Sequence, residues 1–137
     1  MENIGQVLED RVKVDLERHF DNRKGFYISV AGNVSFKDSN GIQREIDGLA
    51  VRHVDGGKRY IVVIECKLTC KNKRRKAIEQ LMYARKHLRE TYPGVRIFCL
   101  FAHSYNFRTQ NYLIERVKNS KLNEIENQNF PGASLKN

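Results

Sequence analysis

Cysteine is scarce in this chain and odd in number, with Cys66, Cys70 and Cys99 among 137 residues. Three thiols leave one unpaired and none of their spacings is that of a zinc ribbon, so neither a disulfide framework nor a structural zinc organises the fold. Cys66 and Cys99 sit inside apolar runs, where a free thiol behaves as a small hydrophobe. Long hydrophobic runs are missing too, and none approaches the roughly 20 residues of a membrane-spanning helix. Residues 1–10 carry acids and no apolar stretch of signal-peptide length. These absences predict a soluble, intracellular (cytoplasmic) protein with reduced thiols. Acids are also few: 16 Asp and Glu face 25 Lys and Arg, a net charge of +9. Such an excess speaks to partners rather than to fold. Nucleic acid leads, with an anionic membrane surface or ribosomal RNA next, and charge alone does not choose between them.

The length suits one domain, which can withdraw about two thirds of its unfolded surface from water. Ile4, Leu8, Val12, Leu16 and Phe20 recur every four residues and predict a first helix over 4–20. Residues 26–36 have strand composition, and Asp38, Ser39, Asn40 and Gly41 mark a turn. Strands follow over 42–54 and 59–69, joined by a hairpin turn at Asp55-Gly56-Gly57. The second of these holds Ile61-Val62-Val63-Ile64, a run suited to a central strand covered on both faces. A helix over 73–90 carries Ala77, Ile78, Leu81, Ala84 and Leu88 on one stripe and stops before Pro93-Gly94. Residues 95–102 form a fourth strand, and the βαβ crossover makes it parallel to the third. A third helix is expected over 106–119, and residues 126–137 read as a loosely ordered polar tail behind a domain of residues 1–125. The expected fold is α/β, a mixed sheet with helices against it.

One acid-x-Lys tripeptide, Glu65-Cys66-Lys67, is present. By itself it says little, because roughly one such match is expected by chance at this length. Its place at the end of the most apolar strand adds weight. Alternation puts Glu65 and Lys67 on one face and Cys66 on the other. A three-residue loop at 55–57 would pair Val54 with Lys58 and hence Asp47 with Glu65, whereas a two-residue loop would shift the register by one. Two opposed carboxylates repel unless positive charge sits between them. Oxygen ligands of this kind suit Mg²⁺. A buried Glu65–Lys67 ion pair with Asp47 as a turn cap would account for the same residues.

The ordered set Arg44-Glu45-Ile46-Asp47-Gly48, Ile61-Val62-Val63-Ile64-Glu65-Cys66-Lys67 and Ala77-Ile78-Glu79-Gln80-Leu81 resembles the PD-(D/E)XK phosphodiesterase superfamily, which includes restriction endonucleases and Holliday junction resolvases. The resemblance covers roughly residues 4–102, and Ile46 stands where the name-giving proline would be. It implies a restriction-endonuclease-like αβββαβ core and a metal-dependent DNA endonuclease, resolvase-like or restriction-like, using Mg²⁺ with Mn²⁺ as a substitute. Asp47, Glu65 and the backbone carbonyl of Cys66 would be metal ligands and Lys67 the catalytic lysine. Glu9, in Gly5-Gln6-Val7-Leu8-Glu9, would be the acid of the first helix. Gln80 matches the glutamine of the crossover helix. For Glu9 and Gln80 a solvated helix-face role explains the residues equally well.

Lys71, Lys73, Arg74, Arg75 and Lys76 place five cations in six positions after the candidate strand. Cations are unfavourable at a helix N-terminus, so helix stability does not explain them, whereas phosphate contact does. Arg85, Lys86 and Arg89 continue the basic face. His103 reads as a loop histidine after the fourth strand, and Tyr105 and Phe107 as core or base-stacking residues. DNA is the expected partner, with RNA open. A homodimer is expected because symmetric cleavage of two strands needs two sites, and the third helix would supply part of an interface. A nucleic-acid-binding protein that keeps the fold without chemistry is the competing reading.

Overall fold

The computed structural model describes residues 4–21, 27–53, 59–67, 73–104 and 112–129. Its elements run α1 (Ile4–Asp21), β1 (Tyr27–Lys37), β2 (Gln43–His53), β3 (Arg59–Lys67), α2 (Arg74–Thr91), β4 (Arg96–Ser104), β5 (Tyr112–Val117) and α3 (Asn119–Asn129). The strands form one five-stranded sheet in sequence order. β1, β2 and β3 pair antiparallel, β3 and β4 are parallel, and β5 closes antiparallel on β4. The protein is therefore α/β, with a mixed sheet flanked by helices.

The apolar run of β3 explains its place. Ile61 and Val63 join one core cluster with Ala77, Ile78 and Leu81 of α2, while Val62, Ile64 and Cys66 join another with Leu8, Val12 and Leu16 of α1. Both faces are covered, which removes the alternation seen in half-buried strands. The turn after β1 is also built as its residues predict. Gly41 adopts φ 77°, a conformation that favours glycine. Asp38 Oδ1 accepts from the backbone N–H groups of Asn40 (2.9 Å) and Ile42 (3.0 Å). Arg44 Nε donates to Asp38 Oδ2 at 2.6 Å. Burial alone would raise the Asp38 carboxyl, but Arg44 and these N–H groups together hold it below the usual carboxylate range.

Two expectations need correction. Residues 112–117 are strand β5, not part of a helix. Without β5, β4 would be an edge strand with buried Phe101, His103 and Ser104 and no backbone partners beyond them. Tyr112, Ile114 and Val117 also have the aromatic and β-branched shapes that strands favour. The second correction concerns the tail, because α3 continues through Asn129 and Glu126 is buried. Leu122, Ile125 and Glu126 form its inward stripe, a spacing of three and four. Residues 130–137, Tyr105 and Phe107 lie outside the described residues, as does the 55–57 turn.

Candidate functional site

The register between β2 and β3 brings two carboxylates together. Gly48 lies opposite Ile64 and His53 opposite Arg59. The ladder ends at Gly48 and Ile64, and Asp47 and Glu65 are the next residues on the two strands. At this point side chains extend the ladder. Asp47 N–H donates to Glu65 Oε1 at 3.1 Å, and Cys66 N–H donates to Asp47 Oδ2 at 2.7 Å. Each carboxylate thus has one oxygen fixed by a backbone N–H. β2 also changes face here, since Ile46 belongs to the cluster under α2 and Ala50 to the cluster under α1. Strict alternation would put both on one side. Such local departures recur beside functional sites.

Glu9 reaches the same place from α1. Its carboxyl is pushed up to about 7, first by burial, then by the Asp47 charge and a hydrogen bond with Asp47. Glu65 is 3% exposed. Its carboxyl is pushed up to about 8, first by burial and then by Asp47, with the Lys67 charge opposing. Burial raises the Cys66 thiol as well, so it is no thiolate ligand. The Cys66 side chain packs in the cluster with Leu8, Val12 and Leu16 of α1.

The site therefore unites Glu9, Asp47, Glu65 and Lys67, and it has more negative than positive charge. Protons are retained near neutral pH because burial and mutual repulsion oppose ionisation. A divalent cation would displace them. Among the described residues no group of three or more His, Cys, Asp or Glu side chains is placed to hold a metal by itself. Mg²⁺ needs less, since one or two carboxylates with water and substrate phosphate complete its shell. Asp47 and Glu65 offer oxygen donors of that kind, and the Cys66 thiol is not among them.

This charge pattern predicts a pH dependence. A carboxyl raised on folding makes the native state bind more protons than the unfolded chain. Its stability contribution is full below about pH 4.5 and declines as pH rises towards about 8. Asp38 and Glu115, held low, act only at more acidic pH. In EDTA, the melting temperature is expected to be several degrees higher at pH 5.5 than at pH 8.5, and Glu65→Gln should remove most of the difference. Thermal melts checked at both pH values decide it, and an unchanged slope in Glu65→Gln would contradict the assignment.

The remaining predicted residues divide. Gln80 is engaged by Arg44 of β2. Its Oε1 accepts from Arg44 Nη1 at 3.3 Å, and Arg44 in turn lies over the Tyr83 ring. Lys71 lies outside the described residues. Lys73 and Lys76 are exposed and have no ion-pair partner among the described residues. Arg74 is committed to Glu115 of β5 through two guanidinium hydrogen bonds, and Arg75 donates to Gln128 of α3 at 3.3 Å. His103 is not in a loop. It is a buried residue of β4, paired in register with Lys67, with Nε2 3.7 Å from Glu115 Oε2. Sequence reasoning missed the Arg74–Glu115–His103 group because nothing local joins α2, β4 and β5. Compared with known proteins, the chain matches no family model, no curated protein and no solved structure.

Proposed function

We propose that the chain is a Mg²⁺-dependent endonuclease of the PD-(D/E)XK type that hydrolyses DNA phosphodiester bonds. The observation that carries this reading is the mutual clasp of Asp47 and Glu65 at the end of β3, with Lys67 two residues on and Glu9 alongside. The order α1-β1-β2-β3-α2-β4 agrees with a restriction-endonuclease-like core. Asp47, Glu65 and the Cys66 carbonyl would hold Mg²⁺, or Mn²⁺ in its place, with Glu9 completing the acidic set. The ion, when bound, supplies positive charge to a phosphoryl oxygen and makes water a better nucleophile near neutral pH. Lys67 orients the attacking water and stabilises charge developing on phosphorus. Lys73 and Lys76 contribute phosphate contacts at the start of α2.

A junction-resolving or restriction-like enzyme acts as a homodimer, with two sites related by a two-fold axis. Exposed Leu113 and Ile114 on edge strand β5 suit such an interface better than an isolated surface. A non-catalytic nucleic-acid-binding module is the second reading, and the intact Asp47, Glu65 and Lys67 set disfavours it. End-labelled duplex, single-stranded, forked and four-way DNA, with RNA alongside, incubated in Mg²⁺ or in EDTA, separates the two. Cleavage confined to metal supports the enzyme, while binding without cleavage supports the module.

The Cys66 thiol has no chemical part in this scheme. Cys66→Ala is expected to keep cleavage within about threefold of wild type and to cost roughly 1 kcal/mol of stability from the lost packing. Initial rates and a denaturant titration check this, and a large loss of rate at unchanged stability would contradict it.

A further inference from the structure

Far from the carboxylates, at the end of the sheet where β4 begins, a cleft of about 680 Å³ opens between α2, α3, β4 and β5. Arg85, Lys86, Arg89, Arg96 and Arg116 line it, against the carboxylates of Glu90 and Glu126. Lys86 and Glu90 satisfy each other at 2.7 Å. Glu126 accepts from Arg89 at 2.6 Å and stands 3.9 Å from Arg85, so one carboxylate serves two guanidiniums. Arg85 is only 4% exposed. Its Nη atoms donate to the side-chain oxygens of Asn123 (2.8 Å) and Asn119 (3.5 Å), and its Nε has no hydrogen-bond partner among the described residues. Neutral amides do not offset its charge. Arg96 and Arg116 are exposed and have no carboxylate partner among the described residues, although Arg116 lies 4.6 Å over the Phe98 ring.

A buried guanidinium is costly unless it is paired and fully hydrogen-bonded. This cleft is short of negative charge by more than one unit, and α3 begins on its wall at Asn119, adding the positive end of a helix dipole. Guanidinium forks match phosphate oxygens in pairs. The volume also suits a ligand of nucleotide size. We propose that this cleft is a phosphate-binding site, separate from the carboxylate cluster, taking a phosphate either of a nucleic-acid strand or of a free nucleotide. In the parallel pairing Arg96 lies opposite Tyr60 and Phe101 opposite Glu65. Five residues of strand separate them, a span of roughly 16 Å.

The test uses the full chain in EDTA, so its outcome is independent of whether the carboxylate cluster cuts DNA. Arg96→Ala/Arg116→Ala removes two exposed side chains. Inorganic pyrophosphate is titrated calorimetrically into wild type and the double variant, and a labelled 30-base-pair duplex is titrated by anisotropy at several salt concentrations. Loss of at least about tenfold in duplex affinity, with the salt slope reduced by about two, identifies a nucleic-acid strand as the ligand source. Saturable pyrophosphate binding that weakens at least tenfold in the variant, with duplex affinity unchanged, identifies a free phosphate compound. No change in either titration overturns the proposal. So does an equal loss of duplex affinity in Lys13→Ala/Arg18→Ala on α1 without any pyrophosphate effect in Arg96→Ala/Arg116→Ala, since the effect is then one of net charge.

Discussion

Glu65→Ala and Lys67→Ala are each expected to lower Mg²⁺-dependent DNA cleavage by a factor on the order of a thousand or more, while duplex affinity stays within about threefold of wild type. The two halves of this expectation have different causes. Glu65 is buried, bonded to the Asp47 N–H and raised by the charge of Asp47, so it acts within the site and not on the surface. Affinity for a polyanion comes from the many cations displayed around the site, of which Lys67→Ala removes one and Glu65→Ala none. Asp47→Ala should behave in the same way, because its carboxylate is bound to the Cys66 N–H beside Glu65. Cleavage rates with affinity measured separately check all three variants. Full activity in any of them would place the chemistry elsewhere.

Glu126→Ala is expected to destabilise the protein by about 3–5 kcal/mol, as removal of one partner from a buried ion pair does. Glu126 is 6% exposed and is the carboxylate shared by Arg85 and Arg89. Its loss leaves Arg85, 4% exposed, facing Arg89 with only the amides of Asn119 and Asn123 as partners. Burial and Arg89 already lower the proton affinity of Arg85, and Glu126 opposes that trend. Urea unfolding of wild type and Glu126→Ala measures the difference. A change below about 0.5 kcal/mol would mean that α3 is not held to α2 through this group.

The same residue marks where local sequence signals ran out. β1 to β4 and the two long helices were legible because each carries a sustained period, such as the every-fourth-residue stripe of α1 or the apolar run of β3. α3 offers only Leu122 and Ile125 as buried apolar residues, and completes its stripe with a glutamate whose partners lie on α2. A charged residue that is buried by a distant pair looks like a solvated tail residue. β5 is short, and its cluster of apolar residues fits a helix turn as well as a strand, so pairing with β4 decided its form. Within the site, the sequence left the partnership of Asp47 and Glu65 open, because a hairpin loop of two residues instead of three would have shifted the register by one. The tie of Gln80 to Arg44 and of Arg74 to Glu115 did not follow, because long polar side chains choose partners by tertiary proximity and leave no periodic trace.

The most direct measurement is a titration of Mn²⁺ into the full chain at pH 7.5, followed by the electron paramagnetic resonance signal of the free ion, for wild type and Glu65→Gln. A metal centre at Asp47 and Glu65 predicts saturable binding of Mn²⁺ to wild type, displaced by Mg²⁺ and weakened at least tenfold in Glu65→Gln. Absence of saturable binding, or equal binding by the two proteins, would contradict the centre and the chemistry built on it.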